Sequence, residues 1–208
     1  MTSRLRAPLI LSSLAAAALL GTAFLGGPSV RDDRRGIEGR LSMGAELAAF
    51  LGPALAAARV GGTPPSFSLP AATGGPSTGT FRMAEHLSAH HPVVILFWAT
   101  WCVPCRTELP FYQGLYERHH AAGLEVVAIS MDGASTISRV GPAARRLGVT
   151  YDVVTDLDTR ITSQLNPRRA APFSVWVSRE GRISWEREGF APSEQSVIES
   201  GIAELVGP

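Results

Sequence analysis

Two sulfurs carry the reactive chemistry open to this chain. Cys102 and Cys105 are the only cysteines among 208 residues, and they lie in the stretch FWATWCVPCRTELP that runs from Phe97 to Pro110. Thiols at this spacing serve as a structural disulfide, as a metal clip or as a reversible redox pair. A disulfide that closes so short a loop removes little entropy from the unfolded chain, so a staple explains it poorly. A metal clip of zinc or Cu(I) asks for further ligands, and the histidines in the chain are His86, His90, His91, His119 and His120. The last two sit at the far end of the helix expected after the cysteines, about 20 Å away at 1.5 Å per residue. His90 and His91 precede a strand whose other end meets Cys102. All five are read as solvated surface histidines and no metal is assigned, leaving a copper or zinc chaperone that uses the two thiolates as the alternative class.

Redox exchange fits the local pattern best. A helix N-terminus offers free N–H groups and a positive dipole end, which favour a thiolate. Cys102 is expected there, exposed, as the attacking sulfur. Cys105, one turn on, is shielded and close enough to resolve a mixed disulfide. Val103 and Pro104 set the backbone between them, Pro104 being tolerated in a first helical turn. Glu108 follows Cys105 by three residues, on the same helix side, where a carboxylate could exchange a proton with the inner sulfur. Trp101 flanks the outer sulfur. Pro110 falls inside the helix.

The positioning elements are legible as apolar runs. Val93 to Trp98 is six apolar residues in a row, the mark of a strand buried on both faces. A helix is expected from Val103 to His120, then a strand over Leu124 to Ile129, which together make a βαβ unit. A short helix ends near Gly148, a strand follows over Tyr151 to Thr155, and a helical turn over Ile161 to Leu165. Phe173 to Val177 and Ile183 to Glu188 flank a connection short enough only for an antiparallel hairpin. Ile198, Ile202 and Leu205 stripe a last helix behind Ser193 as N-cap. The fold class is therefore α/β, with a mixed central sheet flanked by helices.

These residues resemble the thioredoxin fold. More narrowly, PSFSLP at Pro65 to Pro70, FWATWCVPCRTELP, GLEVVAISMD at Gly123 to Asp132 and VSREGRI at Val177 to Ile183 resemble the membrane-anchored TlpA/ResA/CcmG-type thiol-disulfide oxidoreductases of bacteria. The resemblance covers residues from about 64 to 205. It implies a cis proline at Pro172 facing the cysteines, with the backbone of Ala171 pairing with an extended client segment. It also implies an acid–base role for Glu108, and substrate contacts from Trp101, Val103, Pro104, Ala171 and Pro172. The chain departs from the family in having PRRAAP before that strand. The redox element would be the Cys102–Cys105 disulfide itself, with no added cofactor. Peroxidase chemistry is disfavoured, because Ile95 and Ala99 stand where a Pro-x-x-x-Thr-x-x-Cys motif would put its proline and threonine.

The remaining chain sets the expected location. Ala7 to Gly27 is 21 residues without a charge, preceded by Arg4 and Arg6. That length favours a membrane anchor over a cleaved signal, and Gly21-Thr22-Ala23 keeps cleavage open. Residues 1–30 are thus read as anchor or signal peptide, 31–63 as a linker with helical potential, and 64–208 as the thioredoxin-like domain. Either form places the domain outside the cytoplasm, on the periplasmic side of a bacterial inner membrane. The expected partners are client protein thiols or disulfides and a transmembrane electron donor. A formal net charge of +1 gives no footing for nucleic acid.

Overall fold

A computed structural model describes residues 60–73 and 75–207. The apolar N-terminal run, and the linker as far as residue 59, lie outside the described residues. Among the described residues no helix is long and apolar enough to cross a membrane.

A five-stranded mixed sheet forms the centre. Its strands are β3 (Val93–Trp98), β4 (Glu125–Ser130), β5 (Asp152–Thr155), β6 (Phe173–Val177) and β7 (Ile183–Glu188), in the spatial order β5-β4-β3-β6-β7. β3 pairs in parallel with β4, and β4 with β5, whereas β6 runs antiparallel to both β3 and β7. Every residue of β3, β4 and β6 is buried, which is why these strands read as apolar runs without alternation.

The two faces of β3 feed two cores. Val94, Leu96 and Trp98 point to one core, which also holds both cysteines, Leu109 and Tyr112 of α2 (Cys105–His119), and Ile198 and Ile202 of the C-terminal helix. Val93, Ile95 and Phe97 point to the other, built with Phe67, Phe81, Ile161 and Leu165. The period of two in a strand produces this division. Two further helices, α3 (Val140–Arg146) and α4 (Arg160–Leu165), join β4 to β5 and β5 to β6.

Several elements differ from the sequence expectation. A small hairpin of β1 (Ser68–Pro70) and β2 (Thr80–Arg82), followed by α1 (Met83–Ser88), precedes the sheet. Its strands of three residues are too short to display a period. The cysteine helix begins at Cys105 rather than Val103, with Pro104 at its cap. The C-terminal helix α5 (Gln195–Val206) has Glu194, not Ser193, at its cap, since Ser193 lies within a short 3-10 turn. Val206, rather than Leu205, completes its buried stripe.

Candidate active site

β3 delivers the chain to the site. After Trp98 the backbone turns, and the Cys102 N–H donates to the Ala99 carbonyl at 3.0 Å. Asp132, buried just after β4, fixes this turn. Its carboxylate accepts the Thr100 N–H at 2.8 Å and the Thr100 hydroxyl at 2.6 Å, and also takes the Ser130 hydroxyl at 2.9 Å. A buried carboxylate with three such donors is fully satisfied, so it locks the residues just before Trp101. The sequence contains the signal in GLEVVAISMD, but nothing in spacing alone joins Asp132 to Thr100.

Cys102 and Cys105 form a disulfide with a Cα–Cα distance of 5.4 Å. The Cys105 N–H, first in α2, donates to the Cys102 sulfur at 3.2 Å. That bond places a helix-end donor on the outer sulfur, where it favours negative charge once the pair is reduced. The expectation that Cys102 stands exposed is corrected. Its residue is only 3% exposed, against 0% for Cys105. The exposed surface over the pair belongs to its neighbours, with Trp101 at 62% and Val103 at 69%. Pro104 is exposed as well.

Ala171 and Pro172 reach the same end of the sheet. Phe173 stands opposite Phe97 in the β3–β6 register, so the segment before β6 lies across from the end of β3. The Ala171–Pro172 peptide is cis, and Ala171 packs against the core that contains the cysteines. Buried Asn166 holds this segment, its side chain accepting the Ala170 N–H at 3.0 Å and donating to the Ala170 carbonyl at 2.8 Å. Among the described residues, neither the N–H nor the carbonyl of Ala171 is hydrogen-bonded. A groove of about 570 Å³ runs beside Trp101, bordered by Thr100, Arg106, Arg139, Arg146 and Leu147.

Glu108 lies beneath the disulfide helix turn and is 2% exposed. Burial pushes its carboxyl up to about 8, against the opposing pull of the Arg187 guanidinium. One of its oxygens, Oε2, has no hydrogen-bond partner. Tyr112 and Tyr151 share the space; burial, reinforced by the Glu108 charge, raises both phenols above their usual range. A value raised that far favours the protonated carboxyl at neutral pH, and Glu108, one turn along α2 from Cys105, holds a proton that an emerging sulfur anion could take.

The histidines are not scattered over the surface as expected. His86, His91 and His120 turn their Nδ1 atoms towards one carboxylate oxygen of Glu125, at 3.9, 3.6 and 3.9 Å. His90 and His119 stay outside that group. The cluster lies by the start of β3 and the end of α2, and so away from the sulfurs, which rules these side chains out as extra ligands for the cysteine pair.

Curated relatives include the thiol-disulfide oxidoreductase ResA of Oceanobacillus iheyensis, 35% identical over 79 residues that make up 38% of this chain and 40% of that protein. ResA of Bacillus subtilis is 31% identical over 91 residues, 44% of this chain and 49% of the relative. The matched stretch thus spans less than half the length of either. In overall architecture the chain is similar to a thioredoxin-family thiol:disulfide interchange protein from Chlorobium tepidum TLS, with a TM-score of 0.59 at 21% identity over 72% of this chain and 99% of the other. The fold is that of thioredoxin. Residues 60–185 match the AhpC/TSA family, and the chain belongs to it.

Proposed function

We propose that the protein is an extracytoplasmic thiol-disulfide oxidoreductase that reduces disulfides of specific exported proteins, of the kind needed in cytochrome c maturation or cytochrome oxidase assembly. The observation that carries this reading is the Cys102–Cys105 pair at the head of α2, with the Cys105 N–H on the outer sulfur and a protonatable Glu108 one turn below. Similarity to ResA proteins over the matched stretch supports it.

The steps follow from the positions of the groups. In the reduced protein the Cys102 thiolate attacks one sulfur of a client disulfide, and the client S–S bond breaks as the mixed disulfide forms. The displaced client thiolate takes a proton from water. Cys105 then loses its proton to the minor ionised fraction of Glu108 that a raised pKa leaves near neutral pH, and attacks the Cys102 sulfur, expelling the second client thiolate, which is protonated in turn. Two electrons pass to the client and the protein is left as the disulfide. A dithiol donor in the membrane, held close by the N-terminal apolar segment, would restore the thiols. The unpaired backbone of Ala171 offers strand-like pairing to an extended client segment. Arg106, Arg139 and Arg146 along the groove favour a client with acidic side chains near its cysteines.

A Cys105→Ser variant, unable to resolve its own mixed disulfide, tests the reading. It is expected to accumulate a covalent complex with an exported cysteine-containing client through Cys102. Iodoacetamide should modify Cys102 before Cys105 in the reduced wild type. Preferential labelling of Cys105 would overturn the assignment of Cys102 as the attacking sulfur, whereas tight 1:1 Cu(I) or Zn(II) binding by the reduced pair without disulfide reductase activity would favour a metal chaperone instead.

A further inference from the structure

The histidine cluster has a built geometry. Helix α1 ends in a turn that bonds the His90 N–H to the Leu87 carbonyl at 3.2 Å and the His91 N–H to the His86 carbonyl at 3.0 Å. This is the Schellman pattern, whose left-handed position is usually glycine. Here it is His90, at a φ of 55°. The residues that such a turn brings together normally make an apolar contact. In this chain they are His86 and His91, with ring centroids 6.3 Å apart. Both face Glu125, the buried first residue of β4, which stands opposite Val93 in the sheet.

The distances suit a shared cation better than direct bonds. Separations of 3.6 and 3.9 Å from the imidazole nitrogens to the carboxylate oxygen exceed hydrogen-bond length. The His91 Nδ1 is buried and has no hydrogen-bond partner. A tetrahedral ion with metal–nitrogen and metal–oxygen bonds near 2.1 Å holds its ligand atoms about 3.4 Å apart. The ligand atoms of His86, His91 and Glu125 all lie within 4.8 Å of one another, so modest rotation of two partly exposed rings closes the set. His120 is not a fourth ligand as it stands, because its Nδ1 is 3.3 Å from the Leu124 carbonyl. The Arg179 guanidinium nearby is committed to the carbonyls of His90, Ala122 and Val206.

We propose that His86, His91 and Glu125 bind a divalent d-block cation of the zinc class, with the fourth position left to water. Imidazole and carboxylate together select such ions over Cu(I), which prefers sulfur, and over magnesium, which prefers oxygen alone. The ion would tie the end of α1 to the start of β4. It would sit at the far end of α2 from Cys105, about 20 Å along the helix, so metal binding and disulfide exchange are separable.

The test uses the full chain in detergent with the Cys102–Cys105 disulfide closed, so that the sulfurs cannot ligate. Calorimetric titration with zinc chloride should show one equivalent bound. His91→Ala and Glu125→Gln should each weaken binding at least tenfold, while His119→Ala leaves it unchanged. Cobalt(II) should give the visible bands of a tetrahedral site in the wild type and lose them in His91→Ala. Equal zinc affinity in wild type and His91→Ala, or wild-type binding only at millimolar zinc, overturns the proposal. His91 is partly exposed, so its variant remains decisive if Glu125→Gln does not fold, which near-ultraviolet circular dichroism reports.

Discussion

A single carboxylate sets much of the chemistry proposed for the disulfide. Glu108 would be unremarkable on a solvated helix face, yet it is buried, with one oxygen unpartnered and its pKa raised to about 8 by that burial. A group whose folded value is raised favours the folded state in its protonated form. Its contribution is therefore complete below the unfolded carboxyl range near pH 4.5 and is lost as pH climbs to about 8. Wild-type stability should fall over that window, whereas Glu108→Gln, which keeps shape without the charge, should not show this component. The difference between the two in urea unfolding is expected to grow in favour of the variant by on the order of 3 kcal/mol between pH 5 and 8. The same substitution should alter the pH dependence of Cys105 reactivity in the reduced protein. A stability difference that stays flat with pH would return Glu108 to a solvated role. Asp132 makes the contrast: a buried carboxylate with three donors holds the Thr100 turn in place and has no spare oxygen for proton transfer.

Helix α5 shows how one small residue fixes the docking of an element. Trp176 and Trp185, cross-strand partners on β6 and β7, meet edge to face with ring centroids 4.0 Å apart. Gly201 rests on this pair, and a Cβ there would come within 2.8 Å of the Trp176 ring and 3.1 Å of the Trp185 ring. Gly201→Ala gains intrinsic helix propensity but must push the helix off the sheet, and the overpacking cost of about 1–3 kcal/mol exceeds that gain of about 1 kcal/mol. A lower thermal midpoint with a perturbed near-ultraviolet tryptophan signal is expected; an unchanged or raised midpoint would show that α5 shifts freely. The sequence marked this helix by its Ile198 and Ile202 stripe, and marked β3 by an unbroken apolar run and β4 and β6 by largely apolar ones, because burial on both faces leaves that trace. It marked the cysteine pair and Pro172 by motif. The β1–β2 hairpin escaped notice because three-residue strands carry no period. Asp132 escaped because the sheet alone brings Thr100, 32 residues away, against it, and Asn166 escaped because a local side-chain bond to the Ala170 backbone leaves no periodic trace. The histidine cluster escaped for a further reason: His90 takes a left-handed turn usually reserved for glycine, and that turn is what sets His86 beside His91.

The whole domain is arranged as a platform with reactive sulfurs at one end and helix ends gathered at the other. There Arg179 donates to the carbonyls of His90, Ala122 and Val206, tying together the ends of three helical segments whose dipoles favour a cation. The sulfurs, by contrast, have no positive side chain inserted between them, since Val103 and Pro104 occupy that place and both are exposed. The helix-end N–H on the Cys102 sulfur supplies some stabilisation of the thiolate, but without an added cation the reduced form gains less than in strongly oxidising members of the fold. The disulfide is then harder to reduce. Its potential is expected nearer the thioredoxin end, roughly −270 mV, than the oxidising end, roughly −120 mV. A pair so poised outside the cytoplasm would be oxidised by its surroundings and must be recharged across the membrane. Under the extracytoplasmic role proposed above, an N-terminal membrane anchor would keep the domain near such a donor. Equilibration with dithiothreitol, followed by tryptophan fluorescence, measures the potential. A value near the oxidising end would reverse the direction of electron flow and make the protein a disulfide-forming catalyst.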